Sequence, residues 1–355
     1  MDLRTEYDYD YIWYPIPFSQ LFKNKSSRYK SFGQSDSSFP SFIHFGEVCK
    51  DVYANSPLLF VTGSSSNHVF ANINCMYSIV AADANASIVF INFGLSGHEL
   101  RVLKKHFSLI HSLHVSLNSS AQIYYRVFNF NNFPNWISIN NYYVGGYAWK
   151  VISYMDVLRE VHGPLLWTDA GSVLNGTMTQ EMSYMHDYGV YSPYSSGDVA
   201  TWVHNASISF LQTHHMINSV DPFALMCTGG YLFIDGSNAT IMKRVFGPLF
   251  ECAFTKKCIS PDLTNRNNHR QDQAILTMLL HSVGVEKSCT KEYTFLPELR
   301  RDCVYRNNCN DIFKQIWKRL RVKYDISCGC LFFVTSSMTK TRVFCCAVFS
   351  NPLLL

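Results

Sequence analysis

The chain has 355 residues, of which 47% are apolar, 15% aromatic and only 16% charged. The charged fraction lies well below the roughly 25% of an average soluble protein, which excludes intrinsic disorder and indicates a sizeable buried core. The 30 Lys and Arg residues exceed the 26 Asp and Glu residues by only four, whereas a nucleic-acid-binding surface needs a clustered excess of basic residues. Length alone allows one domain or two.

The N-terminal segment, residues 1–54, is rich in Tyr, Ser and Lys and has no sustained periodicity. We interpret it as an irregular arm or stem. Its start, Met1–Tyr14, is acidic and aromatic, without the basic residues and apolar run of a secretory signal peptide. No signal peptide is therefore predicted.

From Pro57 onward, short apolar runs alternate with segments of helical periodicity. This alternation is typical of an α/β fold with a sheet of mainly parallel strands. The predicted strands are Leu58–Thr62, Ser87–Phe93 and Gln122–Phe130, and the predicted helices between them are His68–Ala82 and Gly97–Phe107.

A predicted helix over Tyr147–Val161 ends at His162-Gly163-Pro164, because Gly and Pro together break a helix. The apolar run that follows, Pro164–Thr168, ends abruptly in Asp169. A buried strand that ends in a carboxylate delivers this side chain to the carboxyl edge of the sheet. Open α/β sheets bind their ligands at that edge.

A later strand is predicted within Phe223–Ile234, interrupted by Gly229-Gly230, and is followed by helices at Ala239–Phe254 and Gln271–Val283. We predict one globular domain over residues 55–300 and a Cys-rich C-terminal appendage over residues 301–355. The apolar stretches of Cys328–Leu355 are interrupted by charged residues, so this tail is predicted not to span a membrane.

The 12 cysteines are compatible with disulfides, and they lack the C-x₂-C knuckles of zinc sites. Two pairs, Cys252/Cys258 and Cys303/Cys309, share a C-x₅-C spacing. N-x-S/T sequons, in mild excess over chance, begin at Asn24, Asn85, Asn118, Asn175, Asn205 and Asn238. Together these features favour the lumen of the secretory pathway, with reduced cytosolic thiols as the alternative.

Several short motifs are candidate site residues. Asp169 is followed by small residues, which would leave its carboxylate accessible to a metal ion or a ribose hydroxyl. The alternative is that Asp169 caps a turn or a helix. The hydroxyl-rich loop Thr62–His68 lies where backbone N–H groups bind an anion, although a plain capped turn has the same appearance. Gly229-Gly230 marks either close approach of a ligand or a bulge. Asp272 lies at the start of a predicted helix, where an acidic residue is common as a helix cap, so by itself it does not indicate a functional site.

Other enzyme classes lack their motifs. The loop after the first strand has neither G-x-G-x-x-G nor the Walker pattern, so dinucleotide or ATP binding through such loops is not predicted. The absence of G-x-S-x-G and H-E-x-x-H likewise removes serine hydrolases and zinc proteases of those types. A Rossmann-type methyltransferase is a weaker alternative, which binding of S-adenosylmethionine would revive.

Taken in order, six motifs carry a resemblance. They are SSSNH (64–68), INFGLSGHELRVLKK (91–105), YAWKV (147–151), LLWTDAGSVL (165–174), CTGGYLFI (227–234) and RQDQAILTMLL (270–280). In this order and spacing they resemble the glycosyltransferase-A superfamily of nucleotide-diphospho-sugar transferases, and most closely an uncharacterised animal branch of it. The resemblance covers about residues 55–285.

The resemblance implies a Rossmann-like glycosyltransferase-A fold, with a mainly parallel central sheet and helices on both faces. It also implies a nucleotide-sugar donor and a glycan or glycoprotein acceptor. The site residues it implies are Asp169, Asp272 and Gln273 as catalytic groups, Thr62, Ser64, Ser65, His68 and Lys150 around the nucleotide, and Cys227, Thr228, Gly229, Gly230 and Arg270 toward the substrate.

One departure from the superfamily concerns its D-x-D motif, whose acids hold Mn²⁺ or Mg²⁺ against the diphosphate. Here Asp169 is the remaining acid and the candidate metal ligand, while Gly171 stands at the second position. Because hard divalent cations need several oxygen ligands, metal dependence is doubtful. Lys150, Arg270 or helix N-termini are alternative partners for the charge of the leaving group.

The expected function is therefore a glycosyltransferase of the Golgi or endoplasmic-reticulum lumen, or a secreted one, of the hexosyl- or a related transferase class. A catalytically silent glycan-binding or interaction protein on the same fold is the alternative. Both readings predict one cleft, and the enzyme reading requires Ser64, Lys150, Asp169 and Asp272 to converge on it.

Overall fold

The computed structural model of the chain describes residues 39–45, 48, 53, 56–139, 146–285, 289, 298–299 and 309–324. The predicted arm over residues 1–54 and the tail over residues 328–355 thus lie mostly or wholly outside the described residues. The same is true of Cys303.

A seven-stranded sheet is the centre of the fold, and two two-stranded sheets accompany it in the described part of the chain. The strands are β1 (Ile43–His44), β2 (Leu59–Ser64), β3 (Ile88–Asn92), β4 (Ile123–Val127), β5 (Pro164–Thr168), β6 (Ser172–Val173), β7 (Val190–Tyr191), β8 (Tyr194–Asp198), β9 (Leu225–Cys227), β10 (Tyr231–Asp235) and β11 (Glu298–Leu299). The central order is β1-β4-β3-β2-β5-β10-β7, and the other sheets are β8-β9 and β6-β11.

The first five strands of that order are parallel, whereas β10 runs antiparallel to both β5 and β7. Each parallel neighbour is reached through a crossover, and long helices supply several of these connections, as parallel pairing requires. The predicted mainly parallel sheet is therefore confirmed.

The five predicted helical segments are all helical, and the described residues form further helices that were not predicted. The helices are α1 (Val69–Ala82), α2 (Gly97–Ser116), α3 (Ala148–Val161), α4 (Thr179–Tyr188), α5 (Val199–Trp202), α6 (Asn205–Thr213), α7 (Ala239–Ile241), α8 (Gly247–Ala253), α9 (Lys256–Ile259), α10 (Gln271–Ser282) and α11 (Cys309–Lys323), with a π-helix at Met242–Phe246 between α7 and α8. A capping box between Ser96 and Glu99 begins α2, which extends nine residues beyond its predicted end at Phe107.

Apolar side chains cover both faces of the central sheet. Leu59, Val61 and Trp167 contribute to one core cluster, together with apolar residues of α3, α8 and α10. Phe60 and Phe90 contribute to the other, together with α1 and α2. Because alternate residues of β2 enter opposite clusters, this strand is buried along its whole length. The predicted helices on both faces of the sheet are thus confirmed.

The segment predicted as one interrupted strand, Phe223–Ile234, forms two strands in different sheets. Its first part is β9, which pairs with β8, and its second part is β10, which joins the central sheet between β5 and β7. Gly229-Gly230 lies between them. The glycines therefore mark a change of sheet, directly beside the end of β5.

Part of the predicted C-terminal appendage packs on the core. Residues 309–323 form α11, and its buried Ile316 and Leu320 belong to the same cluster as α1. The Lys323 ammonium donates to the carbonyls of Ala81 and Ala82 at the end of α1, each at 2.8 Å. Among the described residues, no helix is both long and apolar enough to span a membrane.

Two disulfides form between described cysteines, Cys227–Cys289 and Cys252–Cys258. The second joins a pair with the C-x₅-C spacing noted in the sequence. Cys75 on α1 is a buried free thiol. The disulfides are consistent with a lumenal or secreted protein, because such bonds persist in oxidising compartments.

Candidate functional site

The carboxyl ends of β2 and β5 lie side by side at one edge of the central sheet. The two strands are parallel and adjacent, with Val61 opposite Trp167. Ser64 and Asp169 follow this pair by three and two residues, so both lie at the edge where open α/β sheets bind ligands.

Lys150 is the centre of a buried ion cluster at this edge. Its Nζ lies 3.2 Å from Asp169 Oδ1 and 3.0 Å from Asp272 Oδ2. The same nitrogen donates to the Gly229 carbonyl at 3.3 Å. Residues from α3, the end of β5, the 228–230 loop and the first turn of α10 therefore meet at one ammonium group.

The 228–230 loop fixes this arrangement through its backbone. The Gly229 carbonyl accepts from Lys150, and the Gly230 carbonyl accepts from the Asp169 N–H at 2.8 Å. A Cβ at position 229 would lie 2.7 Å from Asp272 Oδ2, closer than side-chain carbons approach. Any larger residue at this position would therefore have to displace the Asp272 carboxylate from its place beside Lys150.

The members of the cluster differ in exposure. The side chains of Lys150 and Asp272 are 5% and 8% exposed, whereas that of Asp169 is 22% exposed. Burial raises the pKa of Asp272, an effect that Lys150 opposes and the neighbouring Asp169 reinforces. The Trp167 indole also donates to Asp169 Oδ1, at 3.0 Å. Asp169 is thus an oriented acid that is accessible from the sheet edge.

The loop after β2 reaches the surface only in part. The Thr62 side chain is fully buried and accepts from Asn72 Nδ2 at 2.7 Å, on the α1 side of the sheet. Ser64 is buried, while Ser65 and His68 are partly exposed. Thr62 was expected beside a nucleotide, but its side chain lies in the core beneath the loop and is not accessible to a ligand.

Three buried polar atoms in these segments have no hydrogen-bond partner within the described part of the chain. They are Ser64 Oγ at the end of β2, Ser172 Oγ three residues after Asp169, and Gln271 Nε2 beside Asp272. Gln271 also has a positive φ of 41°. Unpaired buried polar groups and left-handed non-glycine residues cost free energy and are concentrated at functional sites.

The residues expected toward the substrate divide into two groups. Cys227 is buried in its disulfide with Cys289, and Thr228 is buried as well, so both support the loop. Arg270 is partly exposed, with its guanidinium 3.9 Å from the centre of the Trp202 ring. Gln273 is also partly exposed and adjoins Gly229.

Sequence reasoning missed Arg266. Its guanidinium donates to the Tyr147 hydroxyl and lies 5.5 Å from the centre of that ring. Lys150 Nζ lies 5.1 Å from the same centre. Tyr147, within the YAWKV motif, has a φ of 53° and directly precedes α3. The only sequence feature that could have indicated Arg266 is its position as a basic residue in the polar loop before α10. A solvent-exposed surface arginine has the same appearance in a sequence.

The residues at this edge do not fit a divalent cation. Among the described residues, no group of three or more His, Cys, Asp or Glu side chains is arranged to hold a metal ion. The two carboxylates that face each other are already joined by the Lys150 ammonium, and Gly171 supplies no third one. A hard divalent cation would need several oxygen ligands, which for Mg²⁺ lie at about 2.0–2.1 Å.

A separate surface depression of about 530 Å³ is lined by Ala239, Thr240, Lys243 and Arg244. None of these residues belongs to the ion cluster. The depression offers two exposed cations but no buried polar group of the kind found at the sheet edge.

Comparison with known proteins gives structural neighbours alone, since no protein-family model and no curated protein matches the chain. Galactosyltransferase LgtC in complex with donor and acceptor sugar analogues is 14% identical, with 71% of this chain and 83% of that chain covered and a TM-score of 0.37. Mouse xyloside xylosyltransferase 1 is 8% identical, with 64% and 82% covered and a TM-score of 0.39. Mannosyltransferase Ktr4p from S. cerevisiae in complex with GDP is 10% identical, with 89% and 93% covered and a TM-score of 0.38.

These neighbours are glycosyltransferases, the class that the sequence motifs resemble. Identities of 8–14% and TM-scores of 0.37–0.39 assign neither a donor, an acceptor or a metal nor the role of any residue. The chemistry of the sheet edge has to be argued from its own side chains.

Proposed function

We propose that the protein transfers a sugar from a nucleotide sugar to a glycan or glycoprotein acceptor. The observation that carries this proposal is the convergence of Lys150, Asp169 and Asp272 at the carboxyl end of β5. These residues are distant in sequence, and each belongs to a motif that resembles nucleotide-diphospho-sugar transferases. Their contacts of 3.0 and 3.2 Å join the three motifs in one buried polar cluster at the sheet edge.

The proposed roles follow from exposure. Asp169, the accessible acid, accepts hydrogen bonds from hydroxyl groups of the donor. Asp272 and Lys150 are too buried to contact much of a ligand, and they hold Asp169 and the 228–230 loop in position. Gln273 and Arg270 lie on the partly exposed side of the same segment, toward the transferred sugar and the leaving group. Such preorganised groups lower the barrier because they need not reorient during the reaction.

We place this activity in the lumen of the secretory pathway or outside the cell. Cys227–Cys289 and Cys252–Cys258 are paired, and the sequon residues Asn118, Asn175 and Asn205 are exposed. Glycan and glycoprotein acceptors are found in the same compartments. Mapping of glycopeptides and disulfide-linked peptides from the native host tests this placement, and sequons without glycan together with free thiols would overturn it.

A second candidate, a catalytically silent glycan-binding protein, is favoured by one observation. The Lys150 ammonium is neutralised by two carboxylates, and the second acid of the D-x-D pattern is replaced by Gly171. A site of this kind can retain affinity for a sugar without stabilising a departing diphosphate.

Calorimetric titration with UDP- and GDP-sugars, followed by an assay for sugar release or transfer from any sugar nucleotide that binds, separates the two candidates. We expect binding and turnover, and we expect Asp169→Asn to reduce turnover at least about 100-fold, as for loss of an important active-site group. Asp187→Asn is the control, because Asp187 is an exposed surface acid. Binding without turnover in the presence of glycan acceptors favours the silent protein, and absence of binding contradicts both.

A further inference from the structure

The Lys150 ammonium is surrounded as a bound cation would be. An ammonium group has three N–H donors, and three oxygens lie within 3.3 Å of Nζ: Asp169 Oδ1, Asp272 Oδ2 and the Gly229 carbonyl. The group is nearly excluded from solvent. It therefore stands between two carboxylates and occupies the space in which they could otherwise share a metal ion.

A divalent cation and this ammonium exclude each other. A divalent cation bound by the same two carboxylates would lie within a few ångströms of Nζ, since the bonds of Mg²⁺ to oxygen are only about 2.0–2.1 Å long. Like charges at such distances repel strongly in a site of low dielectric constant. The two carboxylates are then the counter-charge of Lys150 and are not available as a metal cage.

The accessible positive charge lies on two arginines of the loop before α10. Arg266 and Lys150 contact the same Tyr147 ring, so their separation cannot exceed the sum of 5.5 and 5.1 Å. Arg270 stacks on Trp202 and precedes Asp272 by two residues. Both arginines are partly exposed. Stacking on an aromatic ring orients a guanidinium while leaving its edge able to donate to an anion.

We propose that the diphosphate of the donor is bound by Arg266 and Arg270 without a divalent cation, because the Lys150 ammonium holds the position between the acids. This inference rests on the proposed function. A guanidinium donates two parallel hydrogen bonds to phosphate oxygens, which makes arginine well suited to this role. Among the described residues, Arg266 and Arg270 bring two guanidinium charges to the segment that precedes Asp272, and such positive charge attracts a diphosphate.

Titration of UDP and GDP into the full chain, in EDTA and then in excess Mn²⁺, tests the inference. We expect the affinity to agree within about 2-fold between the two conditions. Arg266→Met and Arg270→Met each remove a phosphate contact and are expected to weaken binding at least about 10-fold, as for charged hydrogen-bond partners. Arg244→Met is the matched control, since Arg244 is an exposed arginine of the separate depression. It should leave the affinity unchanged.

Mn²⁺ alone provides a second readout, by electron paramagnetic resonance of free and bound ion. We expect the wild type to retain no stoichiometric Mn²⁺, and Lys150→Ala to gain a weak site between the released carboxylates. If that variant does not fold, the wild-type measurement decides. Stoichiometric Mn²⁺ in the wild type, nucleotide binding that requires Mn²⁺, or unchanged affinity of both arginine variants overturns the inference and leaves glycosyl transfer standing. No nucleotide binding under any condition overturns both.

Discussion

Gly229 has no side chain, and this allows its backbone to pack directly against the ion cluster of the candidate site. Its backbone passes so close to Asp272 that even a methyl group would meet the carboxylate oxygen. At the same time its carbonyl accepts from Lys150. The small residue that the sequence marked as a bulge or a ligand contact is therefore a packing requirement of the ion cluster.

Replacing Gly229 by alanine is expected to displace Asp272 from Lys150. The overpacking should lower the free energy of unfolding by about 1–3 kcal/mol and weaken binding of the sugar nucleotide. Gly97→Ala is the matched control, because a Cβ there would have only Arg101 Nη1 nearby, at 3.8 Å. Urea denaturation and calorimetry measure the two effects. Equal stability of both variants would contradict the packing argument.

Three histidines make the fold sensitive to acid. His106, His114 and His269 are buried, and burial lowers the pKa of each from 6.5 to about 4. Between these values the unfolded chain binds protons that the folded chain does not, so stability is full above about pH 6.5 and falls as the pH drops toward 4. Each histidine contributes up to about 1.4 kcal/mol per pH unit in this window. The raised pKa of Asp272 acts in the opposite direction.

Urea midpoints at pH 7.5 and pH 5 test this dependence. We expect a lower midpoint at pH 5, and a smaller difference in His114→Leu, which removes one of the buried titrating groups. His98→Gln is the control, since His98 is exposed on α2, and it should keep the wild-type difference. A midpoint that does not change with pH would show that the histidines are protonated without cost in the folded chain.

At the scale of elements, the two disulfides differ in what they constrain. Cys227–Cys289 closes a segment of 62 residues and begins directly before the 228–230 loop, whereas Cys252–Cys258 closes only six. Loop-closure entropy gives a stabilisation of about 4 kcal/mol for the first and about 2 kcal/mol for the second. Only the first is attached to the candidate site.

Replacing each pair of cysteines by alanine tests this difference. Cys227→Ala with Cys289→Ala is expected to lower the urea midpoint more than Cys252→Ala with Cys258→Ala, and to weaken sugar-nucleotide binding as well. The second pair serves as the control for the loss of a disulfide away from the loop. An equal loss of stability, or weakened binding in the control alone, would contradict the assignment.

The strands that could be predicted from the sequence are those that contain an uninterrupted run of apolar residues. The runs that became β2, β3 and β5 are buried on both faces, and each contains at least three consecutive apolar residues: Leu59–Val61, Ile88–Ile91 and Leu165–Trp167. The two-residue strands β6 and β7 carry no such period and were not predicted. The change of sheet between β9 and β10 was also missed, because a strand and a pair of strands joined by Gly-Gly have the same composition.

The candidate site was predictable in part for a similar reason. Asp169 stands out because a carboxylate follows an apolar segment, whereas Lys150 and the role of Asp272 were indicated only by the resemblance of their motifs to a known superfamily. Their mutual contacts depend on the crossing of β5, α3 and α10, which no local pattern encodes. Arg266 depends on the left-handed turn at Tyr147, and that conformation is not typical of tyrosine.

At the scale of the whole molecule, α11 extends the described core beyond residue 300. The prediction of a globular domain over residues 55–300 left this helix outside, yet its apolar face packs on α1 and joins the core cluster of that side. Its strong amphipathic pattern, with Ile312, Phe313, Ile316 and Leu320 buried, explains why it needs a partner. We infer that residues 309–323 belong to the same cooperative unit as the sheet.

Ile316→Ala tests this unit. Ile316 is 0% exposed, and removing a buried isoleucine to the β-carbon costs about 2–5 kcal/mol when the site cannot collapse. The change should appear in one unfolding transition, followed by both circular dichroism and tryptophan fluorescence. Val322→Ala is the control, because Val322 is 78% exposed on the same helix. A separate early transition in Ile316→Ala would mean that α11 unfolds independently of the core.

The most direct test of the central claim is a crystal structure of the chain with a bound UDP- or GDP-sugar. The account predicts the donor at the carboxyl edge of β2 and β5, with a hydroxyl group at Asp169 and the diphosphate at Arg266 and Arg270. A donor seated elsewhere, such as the depression beside Lys243 and Arg244, would contradict the assignment of the Lys150 cluster as the donor site.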